Sequence, residues 1–151
     1  MPRPKYILCA ESFAHDKVTN LMSFFNVIEG YSVTRAAEPI PEGTTPIANA
    51  PLRLAGIAAW ELNEGESVDE ELEYELTLKY PGEGEMPIKS GEFRMAKRFH
   101  RFTVRMEVPG IPVAGNDTIV FRSKVRRRGD EWCIQEYTIP IDVTVEPIGI
   151  E

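Results

Sequence analysis

The sequence predicts an all-β protein: an antiparallel β-sandwich of about eight strands, immunoglobulin-like or with a related Greek-key topology. Three observations predict it. Apolar and polar residues alternate with a period of two in most ordered stretches. Gly/Asp/Asn-rich breaks at LNEGES (62–67), YPGEGE (80–85), VAGND (113–117) and RRGDE (127–131) separate those stretches. Helical periods are few.

The first element is KYILCAESF (5–13), which reads as a strand. The next residues admit two templates. Val18, Leu21, Met22, Phe25 and Ile28 fit a helical stripe. Leu21, Phe25, Val27, Tyr31 and Val33 fit strand alternation, with Ser23 and Glu29 as exceptions. The hairpin is the better reading. AHDK (14–17) supplies turn residues. NLMSFFNVIEGYSV (20–33) is rich in β-branched and aromatic residues, and Gly30 with the YSV after it suits a continued strand.

Residues 34–51, TRAAEPIPEGTTPIANAP, carry four prolines and little periodicity. The stretch is long for a connection and reads as a crossover between sheets or an interaction loop. Residues 52–62 put Leu52, Leu54, Gly56, Ala58, Trp60 and Leu62 on one face. The clearest strand is ELEYELTLKY (71–80), where Leu72, Tyr74, Leu76, Leu78 and Tyr80 alternate with Glu71, Glu73, Glu75, Thr77 and Lys79. Burying each large apolar side chain stabilises by roughly 1.5–3 kcal/mol, so a one-residue slip would cost a large part of a domain's ~5–15 kcal/mol. Arg101, Thr103, Arg105 and Glu107 alternate with Phe102, Val104, Met106 and Val108. Ile119, Phe121 and Val125 alternate with Arg122, Lys124 and Arg126. WCIQEYTI (132–139) and IDVTV (141–145) read as two final strands, with Pro140 marking an edge or a change of sheet.

Several of these stretches resemble one family. The pattern LCxES, a polar turn and TNLMSFFNVIEGYSV is similar to the opening hairpin of small uncharacterised prokaryotic proteins that carry a domain of unknown function. LRLAGIAAWEL, ELEYELTLKYPGEGE and TIVFRSKVRRRGDEWCIQEYTIPIDV extend the resemblance over most of residues 5–145; residues 34–51 fit it least. The resemblance implies a β-sandwich whose last hairpin carries Gly and Trp near its tip. It assigns no catalytic or ligand residue.

Length and charge bound the function. The 151 residues fit one domain, residues 1–151, able to bury its own core. A net charge of −7 disfavours nucleic acid and anionic membrane. No apolar window approaches the ~18 residues of a membrane span, and Ile7–Ala10 is too short for a signal-peptide core. Cys9 and Cys133 follow no metal or redox spacing and read as free thiols of a cytoplasmic protein.

Candidate chemistry is sparse. Ser12, His15 and Asp16 share a face only on a helix, so the hairpin separates them. Glu64, Glu66, Asp69 and Glu70 surround a predicted turn where calcium would find oxygen ligands, though no DxDxDG loop occurs. GEGEMPIKS (82–90) lacks the glycine a phosphate loop needs before its lysine. Asn116-Asp117-Thr118 and Arg128-Gly129-Asp130 read as turns. KRFHRF (97–102) interleaves cations and aromatics. If the strands bearing Arg101, Arg105, Arg122, Lys124 and Arg126 pair, they make a basic patch. Glu71, Glu73 and Glu75 would then meet such strands within the chain or in a second copy. The sequence thus predicts no catalytic residue, no cofactor and no metal. It predicts a non-catalytic protein-interaction or scaffold module with an unidentified protein partner or a second copy. The alternative is a small-ligand or calcium-binding sandwich.

Overall fold

The computed structural model describes residues 1–36, 47–48, 52–66, 69–108, 110–112 and 115–146. They form strands β1 (Arg3–His15), β2 (Met22–Val27), β3 (Tyr31–Ala36), β4 (Ile47–Ala48), β5 (Leu52–Glu61), β6 (Glu71–Lys79), β7 (Met86–Arg94), β8 (Phe99–Val108), β9 (Ile111–Pro112), β10 (Asp117–Arg126) and β11 (Cys133–Glu146). Among the described residues there is no helix. The first sheet runs β2-β1-β5-β8 and the second β3-β11-β10-β6-β7, with β4 and β9 as a small separate pair. These are the two layers of a β-sandwich. β1, β5 and β8 on one side and β6, β10 and β11 on the other follow the A-B-E and C-F-G order of immunoglobulin-like sandwiches.

Alternation builds the interior as the sequence predicts. Leu72, Leu76 and Leu78 of β6, Ile119, Phe121 and Val125 of β10, and Phe102, Met106 and Val108 of β8 all turn inward. Trp60 of β5 is fully buried, and its indole N–H donates to Ser123 Oγ of β10 at 2.9 Å, tying the sheets together. Gly56 faces Trp60's side of the sheet because nothing larger fits. A Cβ there would come within 2.8 Å of Met106 Cε and of Phe121 Cζ.

Four expectations need correction. Residues 20–33 are not one strand. β2 ends at Val27, the chain crosses to the second sheet over residues 28–30, and β3 follows. Tyr137 Oη donates to Ile28 O at 2.6 Å at that crossing, and Gly30 lies so close to Pro140 that a Cβ would sit 3.4 Å from its carbonyl oxygen. Nor is β11 broken at Pro140. The strand stays in its sheet and changes neighbour: Cys133–Ile141 pair antiparallel with β10, and Ile141–Glu146 pair parallel with β3. A residue without an N–H is tolerated where one ladder hands over to the next. That parallel pair also departs from the purely antiparallel sheet expected. The basic patch does not form, since Arg101 and Arg105 lie on β8 and Arg122, Lys124 and Arg126 on β10, in opposite sheets. Of the proline-rich stretch 34–51, residues 37–46 and 49–51 lie outside the described residues.

Candidate functional site

The first sheet is finished on its outside by its own opening hairpin. Strand register puts Tyr6, Leu8 and Ala10 of β1 beside Ala59, Ile57 and Ala55 of β5 on the outward face. Those three β5 residues are nevertheless buried. The reason is a bend in the hairpin. Asn26 has a left-handed φ of 56°, the Glu11–Asn26 pair is missing from the ladder, and Asn26 Nδ2 donates to Glu11 Oε2 at 2.9 Å. Asparagine tolerates that conformation better than most residues. Beyond the bend the hairpin lies over the sheet. Phe24 meets Tyr6 edge-on at 6.2 Å between centroids, and the Arg105 guanidinium sits 5.2 Å from the Phe13 ring.

The turn after His15 latches the hairpin down. Asp16 Oδ1 accepts the backbone N–H groups of Val18 at 2.8 Å and Thr19 at 3.3 Å. These bonds, Val18's first, hold its carboxyl below the usual range. Asn20, at φ 60°, offers its backbone oxygen (3.1 Å) and Oδ1 (2.6 Å) to Arg101 of β8. His15 Nε2–H donates to the same Oδ1 at 2.7 Å. That nitrogen then has no lone pair for Arg101, which approaches it at 3.3 Å. The turn therefore lies one or two residues later than expected: Ala14 and His15 end β1, paired with Ser23 and Met22, Asp16 follows the strand, and Ser12 stands further back on it. The hairpin expected from the sequence is present, and the helical triad is not.

A groove of about 370 Å³ opens between this turn and β8, lined among others by Phe13, Met22, Lys97, Phe99 and Arg101. Lys97 to Phe102 is the KRFHRF stretch, so the sequence flagged part of it; Phe13 and Met22 join only through the bend. Behind it, His100 packs between Phe93 and Phe102 at 4.9 and 4.7 Å between centroids, and its burial lowers its pKa.

The outer edge of this sheet is β2. Residues 20–28, NLMSFFNVI, carry no charge, no proline and no glycine. Phe25 and Val27 on the strand, with Leu21 and Val18 before it, are exposed. The other edges are defended. β7 carries Pro87, Lys89, Glu92 and Arg94 and a register irregularity opposite Leu76/Thr77. β8 carries Arg101, Arg105 and Glu107. β3 exposes only the small polar Ser32 and Thr34 among residues 31–34, its Tyr31 and Val33 packing toward the core.

Most of the remaining candidates are held by bonds within the chain. Glu66 pairs with the Met1 amino group, Glu70 with Arg127, and the Asp69 N–H donates to Met95 O at 3.0 Å. Among the described residues no three Asp, Glu, His or Cys gather into a metal-binding group, so the calcium turn is not assembled. Glu71 pairs with Arg94 at 3.4 Å and Glu73 with Arg126 at 2.7 Å, in the same chain. Lys89 and Ser90 lie within β7, not on a phosphate loop. Gly129 (φ 84°) and the Asp130 N–H to Arg127 O bond of 3.0 Å make residues 127–130 a turn. Asn116 Oδ1 accepts the Val143 N–H at 2.8 Å. Cys9 is fully buried, which pushes its thiol up to about 12 and leaves it a poor nucleophile.

No family model and no curated protein matches this sequence. Among solved structures it is similar to the structure of the N-terminal domain of PorA, at 10% identity over 93% of this chain and 98% of that one, with a TM-score of 0.29.

Proposed function

We propose that the chain is a non-catalytic interaction module that docks through the open edge of β2, and that the occupant of that edge is a second copy. The observation that carries this reading is the uncharged stretch 20–28, whose strand β2 (Met22–Val27) exposes Phe25 and Val27 on a sheet edge. Such an edge offers a row of unpaired N–H and C=O groups, a template for another strand. A second copy supplies a strand of equal length and equal lack of charge. Paired antiparallel about a two-fold axis, each β2 satisfies the other, as closed symmetry requires. The net charge of −7 opposes approach of two copies, but none of that charge lies on residues 20–28.

Salt separates this reading from an electrostatic one. Pairing of acidic with basic strands weakens as salt rises, whereas apolar edge pairing holds or tightens as the repulsion is screened. Sedimentation velocity across a wide concentration range, at low and high salt, tests it. The expected result is a dimer that persists in high salt and becomes a monomer in Phe25→Lys and Val27→Lys. A monomer at every concentration, or dimers unaffected by those lysines, would overturn it.

A further inference from the structure

We infer that the groove between the hairpin turn and β8 is a binding site for a small organic anion: a carboxylate or phosphate head on a flat apolar body. Its volume of about 370 Å³ falls within the size of small-molecule sites, which span roughly 300–1,000 Å³. Its charge is one-sided. Lys97 and Arg101 line it, and no carboxylate is among its lining residues. Lys5 joins them at the rim because of a bulge. Pro4 pairs with Trp60 and Tyr6 with Ala59, which leaves Lys5 as the extra residue, with Nζ 4.8 Å from the Phe99 centroid. The Arg101 guanidinium lies 5.5 Å from the same ring.

Two cations on one ring repel each other, and an acidic chain has carboxylates to spare for neutralising them. It does not use them here. Among the described residues, Lys5, Lys97 and Arg101 belong to no ion pair. Glu61, the acid opposite Phe99 in the ladder, is held by Arg3 at 2.8 Å. Arg101 is held in place through Asn20, so an anion meeting it finds part of the ordering already done. Phe13, Met22 and Phe99 give the wall its apolar surface, beside the polar His15, Asn20, His100 and Thr103. Cations set beside an aromatic ring select a molecule with both an anionic head and a flat apolar body. A bare inorganic anion gains only the first, and a neutral aromatic only the second.

Titrations of the labelled full chain followed by NMR test this with four probes: 1-naphthoate, 1-naphthyl phosphate, 1-naphthalenemethanol and inorganic phosphate. The naphthoate or the naphthyl phosphate, whichever head fits, should give saturable shifts centred on Phe99 and Arg101, at least about tenfold tighter than the neutral alcohol or inorganic phosphate. Lys97→Met, an exposed position whose side chain makes no hydrogen bond or ion pair among the described residues, should weaken that probe several-fold with an unchanged melting temperature. Phe25→Lys should leave it unchanged, which separates this site from the β2 edge. Equal binding of the neutral alcohol, no saturable binding of either anion, or full affinity in Lys97→Met would overturn the assignment.

Discussion

The two sheets finish their outer surfaces in opposite ways. The first folds its opening hairpin back over Ala55, Ile57 and Ala59, making an apolar layer outside the sandwich proper. The second meets water with a charge lattice. Arg122 pairs with Glu136 at 2.7 Å and Glu85 at 2.9 Å, Lys124 with Glu85 at 2.8 Å, and Arg126 with Glu73 while lying 4.1 Å from the Trp132 ring. The difference teaches where interaction is to be sought. A lattice satisfied within the chain has little to gain from a partner, and its edge strand β7 is guarded. The folded-over hairpin exposes an unguarded edge, β2, and leaves a cation-lined groove beneath it.

If the hairpin truly makes a second apolar layer, the largest effect should come from beneath it. Ile57→Ala should destabilise by about 2–4 kcal/mol, the cost of a cavity in a packed core, although Ile57 points away from the sandwich interior. Urea titration measures this, and a loss under about 1 kcal/mol would mean the hairpin does not pack there. Next, Gly56→Ala should cost about 1–3 kcal/mol by overpacking against Phe121, which marks the tight interior for comparison.

The charged sheet should respond less, and through pH. Glu85 is held down at about 2, against an ordinary 4.5, by the hydrogen bond from Lys124 first, then that from Thr77, and by the Arg122 charge. Its folded pKa is below its unfolded one. Its stabilisation is therefore complete above about 4.5 and is lost as pH falls toward 2. Glu85→Gln should remove about 1 kcal/mol at neutral pH and flatten that acid limb, as followed by denaturant midpoints against pH. His100 adds loss on the same side. Burial depresses its pKa, so its contribution is present above its ordinary value, about 6.5, and fades below it. The smallest effect is chemical. Native alkylation should modify half-buried Cys133 and spare Cys9 until unfolding, read by mass spectrometry.

How much of this was legible follows from what alternation records. It reports which face of a strand is apolar, so β6, β8 and β10 and the turn at 127–130 were readable. Reading only one face of LRLAGIAAWEL missed β5's second burial. Ala55, Ile57 and Ala59 are also apolar, and a near-continuous apolar run is itself the mark of a strand covered on both sides. The bend at Asn26 was not legible, because a single left-handed φ leaves the alternation of its neighbours intact. With the bend went the groove, which joins Phe13 and Met22 to Lys97 and Arg101 across the chain. The break at 28–30 was hidden for a related reason: β2 and β3 share a strand-like composition but belong to different sheets.

The contrast between a guarded and an open edge is tested most directly by amide hydrogen exchange at low and high protein concentration. Edge pairing predicts that alternate amides of β2 gain protection as concentration rises, while those of β7 do not change. Exchange in β2 that is independent of concentration, or protection that grows at β7 instead, would contradict it.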